Sequence, residues 1–278
     1  MFGKSVPADA AQAAHWLTTA ATQHFVAAQV KLAGLHLAGM VDTPFTETPP
    51  LFAPVAGHRQ DFAAAAHWAH QAALAGSAEG MAIFAFILAS GPPALRDEAQ
   101  ARQWYRRAAA AGVPQAQLSY GLMLLQEAVN AEQIEAAVVN IQNSAATGLA
   151  QAHNCLGILY EIGAVVPQNF AQAAVHYRNA AEAGIRDAMS RYGGALMEGR
   201  GTTANRLEGE SWIRRAALAG DTDAAKCLGK LYATSDDVPP NYIEAARWYQ
   251  LAADAGDNEA ASAMDAMINT SRQLRNNL

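Results

Sequence analysis

Six glycines, Gly76, Gly112, Gly148, Gly184, Gly220 and Gly256, follow one another at intervals of 36 residues. A fixed period of this length means a repeat array, in which each unit buries its apolar face only against its neighbours. Other residues keep the same phase. All five tryptophans (Trp16, Trp68, Trp104, Trp212 and Trp248) stand eight residues before the glycine position, which His24 occupies in the first copy. Asn140 and His176 fill the two remaining slots. Fifteen residues before the glycine come Asp9, Asp61, Asp97, Asn169, Asn205 and Asn241, with Gln133 as the exception.

The clearest copy runs from Asn241 to Gly256. Ala245, Trp248, Tyr249, Ala252 and Ala253 fall at i, i+3, i+4, i+7 and i+8, which draws one apolar stripe on an α-helix. Asn241 is suited to accept from the free amides of the first turn, and Gly256 to take the left-handed conformation that ends a helix. Because half of the stripe is alanine, a neighbouring helix must approach closely, with the indole filling the space beside it. The spacing therefore predicts that Trp68, Trp104, Trp212 and Trp248 are largely buried.

A second helix follows each glycine. Ala-x-x-x-Leu-Gly-x-x-Tyr is clear at Ala224, Leu228, Gly229 and Tyr232 and at Ala152, Leu156, Gly157 and Tyr160. A glycine inside a helix costs about 1 kcal/mol against alanine. Its return at Gly121, Gly157, Gly193 and Gly229 points to tight helix contact in each repeat.

Leu-Gly-x-x-Tyr, a glycine-rich loop such as Gly199-Arg200-Gly201, an Asp or Asn cap, then Ala-x-x-Trp-Tyr-x-x-Ala-Ala-x-x-Gly resembles the Sel1-like repeat family, which is related to tetratricopeptide repeats. The resemblance covers essentially the whole chain. It implies an all-α, right-handed superhelical solenoid of 36-residue helix-turn-helix units, expected here as a single domain over 1–278. It also implies a protein–protein adaptor that takes a partner peptide or helix in its concave groove. Family members in polysaccharide secretion imply an alternative, a scaffold of the cell envelope or of host contact. A hydrolase is a third reading, and it lacks a convergent Ser, Lys or Glu constellation.

Composition narrows the classes. Charged residues make up 16% of the chain and the formal net charge is −6, so there is no broad basic surface for nucleic acid. Arg96, Arg102, Arg106 and Arg107 cluster, and a solvated helix face accounts for them. No run of about 18 apolar residues offers a membrane span. Cys155 and Cys227 hold one repeat position two periods apart, on the order of 20 Å at helix spacings of about 8–10 Å. A disulfide needs about 7 Å or less between Cα atoms. They are expected unpaired and mostly buried. Some secreted members of the family staple their repeats with disulfides; this chain does not, which leans towards a reducing compartment. A signal peptide upstream would place it in the periplasm or outside.

Taken in order, Met1 to Asp9 aligns with Met197 to Asn205, so the chain opens in mid-repeat. One departure from the period follows: an excess of 16 residues between His24 and Gly76, located within Met40 to Gln60. A long loop inside a regular array is often functional. Its Phe45, Leu51, Phe52 and Val55 either pack back on the array or contact a partner. The copy with Gln133, Asn140 and Ser144 is the most degenerate and reads as a soft joint or as tolerated variation. Asn258 onwards forms a final helix and polar tail over 257–278, a cap facing water.

No Walker loop, dinucleotide fingerprint, serine elbow or metalloprotease helix appears, so no catalytic residue, cofactor or metal is assigned. His67 and His70 share a helix face without a third ligand, with His58 upstream, and His153 and His176 read as isolated. Glu79, Asp187, Asp223 and Glu259, three after the glycine, suit the positive end of a helix. In related helical repeats the helices after the glycine line the concave face, through positions 6, 10 and 13 beyond it. There the middle of the chain carries Phe86, Leu118, Leu122, Leu125, Ile158 and Met197, while Lys226 and Lys230 take equivalent places further on. Those six residues are the candidate partner surface, unless tight curling or the insertion buries them.

Overall fold

The computed structural model describes residues 10–39, 60–234 and 239–276, and among them there is no strand. The chain falls into two compact units, 1–147 and 148–278. In the first are α1 (Ala10–Thr22), α2 (Val26–Ala38), α3 (Phe62–Leu74), α4 (Ala78–Ser90), α5 (Glu98–Ala110), α6 (Pro114–Glu127) and α7 (Ala131–Ala146), with a 3-10 turn at Pro93–Leu95. In the second are α8 (Ala150–Ile162), α9 (Phe170–Glu182), α10 (Arg186–Glu198), α11 (Arg206–Leu218), α12 (Thr222–Thr234), α13 (Tyr242–Asp254) and α14 (Asn258–Asn276). Odd-numbered helices are those that lead into the periodic glycine; even-numbered helices follow it.

The phased residues act as their chemistry demands. Asp61, Asp97, Asn169, Asn205 and Asn241 each accept from the backbone N–H three residues on. The periodic glycines all have positive φ, and His24, in the same slot, is driven to φ 63°. One cap differs from the sequence reading. Gln133 does not cap α7; Asn130 does, and the Gln133 side chain reaches back to accept from the Val129 N–H at 2.8 Å. This reciprocal arrangement satisfies two free amides and starts the helix three residues early.

Even-helix glycines mark the closest approaches within each unit. A Cβ on Gly157 would lie 2.5 Å from Cε1 of Tyr177, and one on Gly229 would lie 2.8 Å from the Tyr249 ring. Gly121 meets Ile141 and Gly193 meets Ile213 in the same register. Each glycine is the hole into which the following odd helix sets the residue seven before its own terminal glycine. At that position Ala69, Tyr105, Ile141, Tyr177 and Ile213 are buried, and Tyr249 is half-buried.

Three of the tryptophans one residue earlier sit shallower than expected. Trp248 is buried at 8% exposure, but Trp68, Trp104 and Trp212 are only half-buried. The indole lies against the preceding even helix, as Trp104 does with Phe84 (5.9 Å) and Trp212 with Tyr192 (5.7 Å). Its outer face is roofed by an arginine instead of a helix. Arg107 stands 4.5 Å from the Trp104 ring and Arg215 4.1 Å from that of Trp212, so cation–π contact finishes what packing leaves open. Trp16 is 66% exposed, and no described helix precedes α1 to cover it.

The cysteines also depart from expectation in part. Both are free, but Cys155 is half-buried and Cys227 is exposed.

Candidate functional site

Positions 6, 10 and 13 beyond the periodic glycine differ in character between the two units. In the first unit α4 offers Ala82, Phe86 and Ala89, and α6 offers Leu118, Leu122 and Leu125. Ala82 is buried; Phe86, Leu118 and Leu125 are half-buried; Leu122 is 42% exposed. Phe86 packs in part against the core of its unit. Leu122 is the most exposed member of the candidate set.

In the second unit position 6 is polar, and each polar group is tied to the next even helix or its N-cap. Asn154 donates to Asp187 at 3.2 Å, Ser190 donates to Asp221 at 2.6 Å, and the Lys226 ammonium meets Asp257 at 2.9 Å and Asp223 at 3.1 Å. The two carboxylates hold the Lys226 pKa up, and Lys226 in turn holds Asp257 down. Ile158 and Met197 lie half-buried among these groups, packed on the core of this unit. Met197 also touches the space a Cβ on Gly209 would need.

Glu161, at position 13 of α8, gathers a hub. Its carboxylate accepts from the Tyr177 hydroxyl at 2.6 Å, from Arg191 at 3.0 Å and from Arg200 at 3.3 Å. Burial and the neighbouring carboxylate push the Tyr177 hydroxyl pKa up. A cleft of about 510 Å³ opens over this hub, with Asp187, Ser190 and Asp221 on its walls. Its charges answer one another and cross-brace the surface.

His153 and His176, isolated in sequence, are brought together: Nδ1 faces Nδ1 at 2.9 Å, and Tyr160 stacks on His176 with an angle of 7° between rings. Burial lowers both pKa values, and for His176 the neighbouring His153 adds to it. The signal lay in the repeat register, since the pair joins position 5 after one glycine to the tryptophan slot before the next. His70 stacks on Phe84 and His67 edges onto Trp68. Among the described residues no group of three His, Cys, Asp or Glu side chains gathers to hold a metal. Of the arginine cluster, Arg96 donates to the Gly91 carbonyl at 2.6 Å, Arg102 pairs with Glu127 and Arg107 covers Trp104. Phe45, Leu51 and Phe52 of the insertion lie outside the described residues. No described helix is long and apolar enough to cross a membrane.

A family model described as Sel1 repeat matches residues 1–25, 56–77, 81–113, 150–185, 186–221 and 224–257. A Sel1 repeat protein from Oxalobacter formigenes is structurally similar, with a TM-score of 0.73 at 22% identity, over 89% of this chain and 95% of that one. A protective antigen of uropathogenic Escherichia coli with an SLR fold aligns over 93% of this chain and 60% of its own, at 24% identity and a TM-score of 0.48. A sel1 repeat protein from Klebsiella pneumoniae covers 76% of this chain and 95% of its own, at 19% identity and a TM-score of 0.48. No curated protein matches the chain.

Proposed function

Since this chain belongs to the Sel1 repeat family, whose members are generally protein-interaction scaffolds and typically non-catalytic, we propose that it works as an adaptor holding a partner segment on an apolar strip of its even-numbered helices. In the first unit the strip is Phe86 on α4 with Leu118, Leu122 and Leu125 on α6; in the second, Ile158 and Met197 occupy the same register. The observation that carries this reading is Leu122. A leucine 42% exposed and flanked by half-buried apolar neighbours offers apolar surface that a partner can cover. The matching surface of the second unit is cross-braced by hydrogen bonds and ion pairs. Apolar area covered by a partner contributes about 25 cal/mol per Å². An amphipathic helix or extended segment with apolar side chains at helical or alternate spacing is the matching occupant.

A photo-crosslinking amino acid at position 122, used in an extract of the native source, should trap a discrete partner. Leu122→Asp should abolish that complex while leaving the melting temperature within a degree or so. If Leu122→Asp instead unfolds the first unit, the leucines are core and the strip is no binding face. If the complex survives the substitution, the partner sits elsewhere, and the insertion with Phe45, Leu51 and Phe52 becomes the next candidate.

A further inference from the structure

Within the second unit, the α9–α10 and α11–α12 grooves are each closed by an aromatic side chain from the next odd helix. Between α11 and α12 the floor is Glu210, Arg214 and Tyr232, joined by hydrogen bonds. Trp248 of α13 closes it, with Arg214 5.5 Å from its ring. His176 of α9 lies in the same way over Tyr160 of α8, and Trp212 of α11 against Tyr192 of α10.

The groove between α13 and α14 repeats this architecture one period later. Ala246 and Gln250 replace Glu210 and Arg214, and Ile268 replaces Tyr232. Met264 stands in the register of Leu228, which is fully buried. Tyr242 of α13 itself lines this groove, no aromatic from another described helix is among its lining residues, and about 390 Å³ stands open with Ile243 at 51% exposure. The ion-paired floor of the earlier groove has become apolar. Its rim carries Arg272 and Arg275, and also Arg247, which pairs with Glu244 at 3.3 Å; no carboxylate is among the lining residues, in a chain of formal net charge −6. Two of these arginines depend on the length of α14, which runs 19 residues where most of its counterparts run 13.

We propose that this groove is a second docking site, for an acidic amphipathic helix of a protein partner that sets one large aromatic side chain on Met264 and Ile268. The two closed grooves of the unit name the aromatic, and the arginine rim names the acidic flanks. Guanidinium groups pair with carboxylates in two-point contacts and stack on aromatic planes, so the rim suits both features of such a ligand. The site shares no residue with the apolar strip that includes Leu122.

The probe is a fluorescein-labelled peptide of residues 241–256 with Arg247 replaced by Glu, which is helical in pattern, acidic and carries Trp248. It should bind the full chain saturably, and more weakly as salt is raised. Replacing the peptide's tryptophan by alanine, or Ile268→Asp in the protein, should weaken binding at least about ten-fold. Arg272→Glu together with Arg275→Glu, on an exposed face where folding is not at stake, should do the same. Leu122→Asp should leave this binding unchanged. Wild-type affinity retained by both the Ile268→Asp and the double arginine variants would overturn the site. A concentration-dependent dimer of the chain alone that Ile268→Asp dissolves would show a second copy to be the occupant and overturn the proposed partner.

Discussion

His153 on α8 and His176 on α9 face each other nitrogen to nitrogen at 2.9 Å, in the slot where most copies of the repeat place a tryptophan. One ring must donate and the other accept, so the pair holds one proton between the facing nitrogens. Burial lowers both pKa values below the ordinary value of 6.5. The unfolded chain therefore binds these protons at higher pH than the folded chain does. The stability tied to the neutral pair is complete above the unfolded value and is lost as pH falls from there through the folded values. Melting temperature should drop by a few degrees more in the wild type than in His176→Asn between about pH 7.5 and about pH 5.5. Asn140 already fills the equivalent slot in α7, so the variant should fold. Parallel melting curves at both pH values would refute the coupling.

The close approach of Gly157 to Tyr177 predicts a strong response to a single methyl group. Gly157→Ala gains about 1 kcal/mol in helix propensity. It also sets a Cβ 2.5 Å from a ring that is itself locked in the core. Overpacking of this kind costs about 1–3 kcal/mol or more, so the net effect should be destabilising. Urea unfolding measures it. Adding Tyr177→Ala to Gly157→Ala should then cost less than Tyr177→Ala costs alone, and strict additivity would mean that the two residues do not compete for space.

Much of this repeat was legible because its signals are local. A capping carboxamide, an apolar stripe and a left-handed glycine each report on a few neighbouring residues, and together they place the helix ends. Which of two adjacent aromatic positions goes deeper was not legible. Tyr177 and His176 sit one residue apart on the same stripe, and Gly157 of α8 makes room for the Tyr177 ring from the other helix. The early start of α7 was hidden for a similar reason, since Asn130 displaces the periodic cap by a reciprocal contact with Gln133. The His153–His176 contact and the open groove over Ile268 depend on which helix flanks meet in space, which periodicity alone does not state.

Trp248 and Trp104 should respond differently to truncation, although they hold the same repeat position. Trp248 is 8% exposed, and Trp248→Ala should cost about 3–5 kcal/mol. Trp104 is half-buried under Arg107, so Trp104→Ala should cost clearly less and should weaken the effect of a further Arg107→Ala change. Chemical denaturation of the two single variants decides the order. A larger loss at Trp104 would contradict the burial pattern.

Thiol reactivity should separate the cysteines. Cys227 is exposed, whereas Cys155 is half-buried with its pKa pushed up to about 11 by burial. Burial also raises the Cys227 thiol, against an opposing pull from Lys230. A disulfide reagent at mildly alkaline pH should modify the folded protein in two phases, and Cys227→Ser should remove the fast one. Denatured, unreduced protein should show two free thiols. A count of zero in a monomer would mean the two are paired.

The Glu161 hub permits a dissection of charge from hydrogen bonding. Its carboxylate is 20% exposed and takes the hydroxyl of Tyr177, a residue buried to 2%, together with Arg191 and Arg200. Glu161→Gln keeps an acceptor for the Tyr177 hydroxyl and loses both ion pairs. Glu161→Ala also strips the hydroxyl of its partner, and an orphaned buried polar group costs about 1–3 kcal/mol. The arginines are about 40% exposed, so their share should be small and screened by salt. Expected, therefore, is a modest loss for Gln that shrinks at about 1 M salt, and a larger loss for Ala that persists there. Equal losses for the two variants at both salt concentrations would mean that the Tyr177 hydroxyl finds water when Glu161 is gone.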